Sequence, residues 1–217
     1  MDERGLSRRR WRRPDRAARG ERVRLHRVFF ALWPAAQFRH ELEAVAGRLL
    51  ERVEGRRLAI DDWHVTVCFI GAVNEVTLAA LQASAAAVAS EPFTLRFDRI
   101  EYWSEARIVA ATASQVPTPA AELSSVLREL ARSLGLAPDE KPLRPHLTLM
   151  RGVNPLAWRM NRDAPDARLE PELVFVPDAL HLAESRPAAP RSSAGGALHV
   201  AAEAPSYARL ASWPLQH

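Results

Sequence analysis

The sequence predicts an α+β fold duplicated into two similar lobes, and three observations carry that prediction. First, His64-Val65-Thr66-Val67 and His146-Leu147-Thr148-Leu149 write one pattern twice, 82 positions apart. Second, each copy lies in a run of alternating apolar residues, and both halves of the chain run helix, motif strand, further strands. Third, 47% apolar content over 217 residues suffices for a packed core. With seven His and six Thr in the chain, about 0.2 His-x-Thr pairs are expected by chance. Two of them in matching context point to duplication, not to a long repeat array.

The elements follow in order. Residues 27–33 form a β-rich run stopped by Pro34. Phe38, Leu42, Val45, Leu49 and Val53 recur at helical spacing, and Gly55 ends that segment. Residues 58–60 and 63–70 read as strands, the second closed by Gly71. Asn74 caps an Ala-rich helix to about residue 89, with Leu78, Leu81, Ala85 and Val88 inward. Residues 93–97, 100–103 and 107–113 form a meander, the last two joined through Ser104-Glu105-Ala106. Pro119 opens a helix with Leu123, Val126, Leu127, Leu130 and Leu134 on one face, and Gly135 stops it. Residues 143–150 carry the second motif strand. Residues 153–170 are read as a short helix and a loop. Residues 173–176, 179–183, 197–201 and 207–210 are late strands, and 186–196, rich in Pro, Ser and Gly, are a mobile loop.

The net charge of +4 is unevenly placed. Residues 1–27 hold eleven Arg against Asp2, Glu3, Asp15 and Glu21, a net +7, so the remaining 190 residues carry −3. Residues 1–24 lack apolar periodicity and are expected to be a disordered extension, with a domain of two pseudo-symmetric lobes expected over 25–217. The extension is read either as an RNA-phosphate contact or as a solvated tail. Ser7-Arg8-Arg9-Arg10 has the look of an export signal, but residues 28–36 are short, interrupted by Trp33-Pro34, and make a better first strand. No stretch has membrane-spanning length, and Cys68 is the single cysteine. A cytoplasmic monomer with no membrane contact is the expectation.

Strand alternation puts His64 with Thr66, and His146 with Thr148, on one face each, roughly 7 Å apart along the strand. Neutral imidazole accepts a proton and imidazolium donates one near neutrality. A pair can therefore activate water and protonate a leaving oxygen in one cycle, while Thr hydroxyls hold non-bridging phosphate oxygens. Arg151 is read as a phosphate contact or a solvated strand-end charge. Strict alternation sets it opposite His146 unless the strand ends or twists there. Arg144, before Pro145, is a further substrate-binding candidate. Asp61 and Asp62 are read as a polar turn, with an imidazole-orienting or metal-binding role as the alternative. Cys68, on the same strand face as His64, is read as packing, and His26, His40, His181, His199 and His217 as surface or structural. Neither His-x-x-x-His nor Cys-x-x-Cys occurs, and phosphate-loop, dinucleotide and serine-elbow motifs are missing. Metal-free phosphate chemistry without a cofactor is what the pattern favours.

The segments His64-Val-Thr-Val-Cys-Phe-Ile-Gly71 and Arg144-Pro-His-Leu-Thr-Leu-Met-Arg151 resemble the paired signatures of the 2H phosphoesterases. The opening Arg27-Val-Phe-Phe-Ala-Leu-Trp-Pro34 and closing Tyr207-Ala-Arg-Leu-Ala-Ser-Trp-Pro-Leu215 narrow the resemblance to the RNA 2′,3′-cyclic phosphodiesterases, once called 2′-5′ RNA ligases, over about residues 25–215. The resemblance implies a bilobal fold, two antiparallel sheets lining a central cleft with helices outside. It implies metal-free opening of a terminal RNA 2′,3′-cyclic phosphate to a 2′-phosphomonoester. His64 would be the proton donor, His146 the proton acceptor, and Thr66 and Thr148 phosphate contacts. The motif geometry alone does not tell donor from acceptor. Cys68 and Met150 depart from the family pattern, as does the Arg-rich extension. The alternatives are action on small cyclic nucleotides or tRNA halves, 2′-5′ ligation, and an RNA-end-binding module without chemistry.

Overall fold

Strand β1 (His26–Leu32) is apolar on both faces because it lies inside a sheet, between β3 (Val65–Val73) and β8 (Ala179–Ser185). Val28, Phe30 and Leu32 enter the main core, while Phe29, Ala31 and Trp33 join a separate cluster with Phe69 and Tyr207. The computed structural model describes residues 24–160, 167–186 and 206–215. The expected extension over 1–24 therefore lies almost wholly outside the described residues, as do the expected strand 197–201 and most of the loop 186–196.

The remaining elements are α1 (Ala36–Glu51), β2 (Arg56–Arg57), a 3-10 turn (Ile60–Asp62), α2 (Glu75–Ala85), β4 (Leu95–Trp103) and β5 (Ile108–Thr112). After these come α3 (Thr118–Ser133), β6 (His146–Arg151), α4 (Pro155–Met160), β7 (Ala167–Phe175) and β9 (Tyr207–Pro214). All the pairings are antiparallel, in the order β7-β4-β5-β6-β3-β1-β8-β9, with β2 also on β6. The expected two sheets are two four-stranded halves joined at a single residue pair, Val65 with Leu147. Each half draws on distant stretches of chain. The first combines β1 and β3 with the late strands β8 and β9, and α1 reaches across to pack on β7, where Phe38 meets Phe97 and Phe175.

Several boundaries move for local reasons. Residues 58–59 form no strand, and 60–62 turn in a 3-10 helix that buries Asp62. Strand β3 does not close at Gly71 but passes through it at φ 100°, where β1 and β3 fall out of register. The expected strands 93–97 and 100–103 are one strand with an irregular pairing to β7. The stretch 153–170 contains α4 and the start of β7. Gly55 does not stop α1, which ends at Glu51. A Cβ there would lie 3.1 Å from Val153 Cγ2 and 3.3 Å from the Arg151 carbonyl, so any side chain at 55 would make these neighbours give by a few tenths of an ångström. Val45 and Val126, expected on inner faces, are exposed.

Other local signals act as expected. The Asn74 side chain accepts from Thr77 N at 2.9 Å and caps α2. Gly135 at φ 75° ends α3, with Gly135 N bonded to the Arg132 carbonyl and Leu136 N to that of Ala131. Among the described residues no helix is long and apolar enough to cross a membrane.

Candidate active site

The single pair that joins the two sheet halves also fixes the site. Val65 and Leu147 face each other on β3 and β6 and both are fully buried in the core. Their flanking residues His64, Thr66, His146 and Thr148 therefore share the opposite face. In that register His64 stands across from Thr148, and Thr66 across from His146. Antiparallel spacing sets the two histidines on a diagonal of roughly 8 Å or more, room for one phosphate between them. Among the described residues neither threonine hydroxyl has a hydrogen-bond partner in the protein, which leaves both for a ligand.

Both imidazoles are held the same way. His64 Nδ1 lies 2.7 Å from the carbonyl of Asp62, and His146 Nδ1 lies 2.7 Å from that of Arg144. A carbonyl only accepts, so each Nδ1 carries the proton and each Nε2 is left to exchange protons. The rings differ in their surroundings. His64 stacks on Phe29 and Trp33, at 5.0 and 4.7 Å between centroids, and meets the edge of Tyr207 at 4.6 Å. His146 lies against Trp103 at 4.5 Å.

Burial pushes His64 down to about 4. The Asp62 carbonyl opposes this, and the positive charges of His146 and Arg151 add to it. Burial also lowers His146, again opposed by its carbonyl partner and aided by Arg144 and Arg151.

Beyond each threonine the two strands share a further feature that the sequence pattern does not reveal. Pairing with β1 skips Val67 on β3, and pairing with β5 skips Leu149 on β6. Each motif strand thus has a bulge one residue after its threonine, which reverses the alternation beyond it. Cys68 is accordingly turned into the core on the side of α3, and not onto the face of His64 as strict alternation predicts. Its thiol is buried and pushed up to about 12 by that burial. Phe69 takes the cleft position instead. The carbonyl of the skipped Val67 accepts from the buried Ser124 hydroxyl of α3 at 2.8 Å, and that of Leu149 accepts from Leu58 N at 2.9 Å.

The second bulge brings Arg151 to the side of the histidines. Its guanidinium donates to the Tyr207 hydroxyl at 3.2 Å, and its charge depresses both imidazoles. Phe69 and Arg151 are equivalent positions, so the duplicated pattern is broken by one cation on the His146 strand.

Arg144 is differently employed. Its guanidinium lies over the Trp103 ring at 4.1 Å and donates to Glu101 Oε2 at 2.6 Å, while Trp103 Nε1 donates to the same oxygen at 2.9 Å. Arg144 thus braces the ring beside His146, and its main-chain carbonyl orients the imidazole. A cavity of about 800 Å³ opens beside this stack, lined by Thr66, Phe69, Trp103, Lys141, Arg144 and His146 among others.

Four groups at the site lie outside the His-x-Thr pattern: Trp33 and Trp103 as ring partners, Glu101 as the brace of Trp103 and Arg144, and Tyr207. Asp62, a turn residue by its sequence, is also the acceptor for His64. Only the spacing Asp62 to His64 offers a local signal. Of the remaining histidines, His26 lies 2.8 Å from both Glu75 and Glu184, His181 is bonded to Ser212 and His40 is exposed, while His199 and His217 lie outside the described residues.

The LigT like Phosphoesterase family model matches residues 32–110. The RNA 2′,3′-cyclic phosphodiesterase of Escherichia coli K12 is 30% identical over 128 residues, 59% of this chain and 73% of that protein. The Bacillus subtilis 168 protein of the same name is 29% identical over 94 residues, 42% and 51% of the two chains. Among solved structures, E. coli LigT complexed with 3′-AMP superposes with a TM-score of 0.67 at 25% identity, covering 89% of this chain and all of that one. A Thermus thermophilus structure, at 20% identity and a TM-score of 0.65, shares the fold over 87% of this chain and 97% of its own. From the paired motif strands to the length of sequence shared with the E. coli enzyme, these likenesses place one conclusion beyond the fold: the chain belongs to the LigT-like phosphoesterase family.

Proposed function

We propose that this protein hydrolyses terminal 2′,3′-cyclic phosphodiesters of RNA to 2′-phosphomonoesters, with two histidines as acid and base. The observation that carries this reading is the pair of imidazoles on one face of adjacent antiparallel strands, each with Nδ1 tied to a carbonyl and with no partner for Nε2 among the described residues. The relatives named RNA 2′,3′-cyclic phosphodiesterase support the substrate class.

In the reaction His146 Nε2 takes a proton from water as the water oxygen bonds to phosphorus. The bond from phosphorus to the 3′ oxygen breaks on the opposite side, and His64 Nε2 delivers its proton to that oxygen. The product keeps the phosphate on the 2′ oxygen and gains a free 3′ hydroxyl. Exchange with solvent then returns the proton to His64 and removes it from His146. Thr66 and Thr148 donate to the non-bridging oxygens, and Arg151 supplies fixed positive charge as the negative charge on them grows. Arg144 contributes through the Trp103 stack. A single buried cysteine fits a reducing compartment, so we place the enzyme in the cytoplasm, acting as a monomer.

The test is incubation with an oligoribonucleotide bearing a 2′,3′-cyclic phosphate, in EDTA, with identification of the hydroxyl that retains phosphate. A 2′-phosphomonoester formed at an undiminished rate is expected. A 3′-phosphate product, or loss of activity in chelator, overturns the assignment.

The lowered histidines make a second prediction. One imidazole must be protonated and the other neutral, so kcat/KM follows a bell whose limbs are those of the free enzyme. Both limbs lie below the ordinary 6.5, because burial and Arg151 disfavour both imidazolium ions. A bound phosphate anion favours the charged rings and raises both groups. The kcat profile is therefore displaced to higher pH than that of kcat/KM. Superimposable profiles with both limbs above pH 7 would contradict the electrostatics described here.

A further inference from the structure

Tyr207 opens β9, at the edge of the first sheet half, yet its side chain reaches groups from both halves. Its ring meets His64 edge-on at 4.6 Å and Phe29 edge-on at 5.5 Å. Its hydroxyl accepts from Arg151 of β6 at 3.2 Å. The residue before it is fixed with unusual care. Ser206 N donates to both carboxylate oxygens of Asp62, at 3.0 and 3.1 Å, and Asp62 is 4% exposed. The same Asp62 accepts the Nδ1 proton of His64 through its carbonyl. One residue thus sets both the His64 tautomer and the point where Tyr207 enters the cleft.

The hydrogen-bond inventory gives the phenol a free proton. Arg151 can only donate, so the Tyr207 oxygen accepts from it and its own O–H must point elsewhere. Among the described residues the hydroxyl has no second partner. An arginine N–H bonded to the oxygen also polarises the O–H and makes it a stronger donor. The ring thus touches His64 while the hydroxyl touches Arg151, so the phenol links one catalytic imidazole to the cation of the other motif strand.

We propose that Tyr207 is a phosphate-binding catalytic residue, its hydroxyl donating to a non-bridging oxygen while holding Arg151 against the same group. This rests on the cyclic-phosphate reading above and extends it to a residue outside the His-x-Thr pattern. No proton is transferred from the phenol. It strengthens a hydrogen bond as negative charge accumulates on the oxygen.

Tyr207→Phe keeps the ring against Phe29 and His64 and removes only the hydroxyl. It should lower kcat/KM on a cyclic-phosphate oligoribonucleotide by about 10- to 100-fold, the effect of one hydrogen bond to a charged group. Its melting temperature should match the wild type. It should also weaken calorimetric binding of a nucleoside 2′-monophosphate, and Arg151→Met should cost less in the Tyr207→Phe background than alone. A Tyr207→Phe enzyme with kcat/KM and product affinity within two-fold of wild type overturns the proposal. So does an Arg151→Met effect equal in both backgrounds, a comparison that holds even if one variant is less stable. Wild-type turnover separates the two readings. If the wild type fails to hydrolyse but binds the 2′-monophosphate, and Tyr207→Phe loses that binding, the proposed reaction falls and the phosphate contact stands. If the wild type neither hydrolyses nor binds it, both fall.

Discussion

Replacing either His64 or His146 by alanine is expected to lower kcat by about 10²–10⁴-fold, the worth of one positioned proton transfer. Replacing both should cost little more than replacing one, because the two act on the same bond exchange. Single-turnover rates normalised to folded protein are the measurement. That normalisation matters for His64, whose ring fills a space between Phe29, Trp33 and Tyr207. Among the described residues His146 has a single ring partner, Trp103, so its variant should be the better folded. The two roles are separable with a substrate whose 3′ bridging oxygen is replaced by sulfur. A thiolate leaves without a proton, so this substrate should rescue His64→Ala and not His146→Ala. Rescue of His146→Ala alone would exchange the two assignments. Near-wild-type turnover by either alanine variant on the ordinary substrate would remove that histidine from the pair.

What the sequence made legible was whatever one strand or one helix decides by itself. The faces of His64 with Thr66 and of His146 with Thr148 follow from the two-residue period alone, and the structure keeps both. The cap at Asn74 and the stop at Gly135 are also decided within one turn. What the sequence hid were features set by a partner elsewhere in the chain. Arg151 and Cys68 exchange faces relative to strict alternation because bulges at Leu149 and Val67 are defined against β5 and β1. Ser124, one of several serines in an amphipathic helix, gains its role only when α3 settles over β3 and meets the Val67 carbonyl. Asp62 looks like an ordinary turn residue until Ser206, 144 positions later, brings its N–H to the carboxylate. The lobes are likewise not successive halves of the chain, since β8 and β9 return to pair beside β1. Periodicity cannot announce that return.

Arg151→Met should lower kcat/KM by about 10²-fold, close to 2.7 kcal/mol of transition-state stabilisation. Methionine keeps much of the side chain's length and removes the charge and the fork of donors. Lysine at 151 should recover only part of the loss, since a single ammonium cannot hold Tyr207 and a phosphate oxygen in the planar geometry of a guanidinium. An accompanying change in pH dependence separates this role from that of a surface charge. Arg151 lowers both His64 and His146 in the free enzyme. Its removal therefore favours both imidazolium ions, and both limbs of the kcat/KM bell should move to higher pH. A solvated strand-end cation screened by water would leave rate and limbs in place. A structural brace would lower the melting temperature without displacing the limbs. A cation beside both imidazoles and the phosphate must change both together: losing it slows the reaction at its optimum and carries that optimum upward in pH.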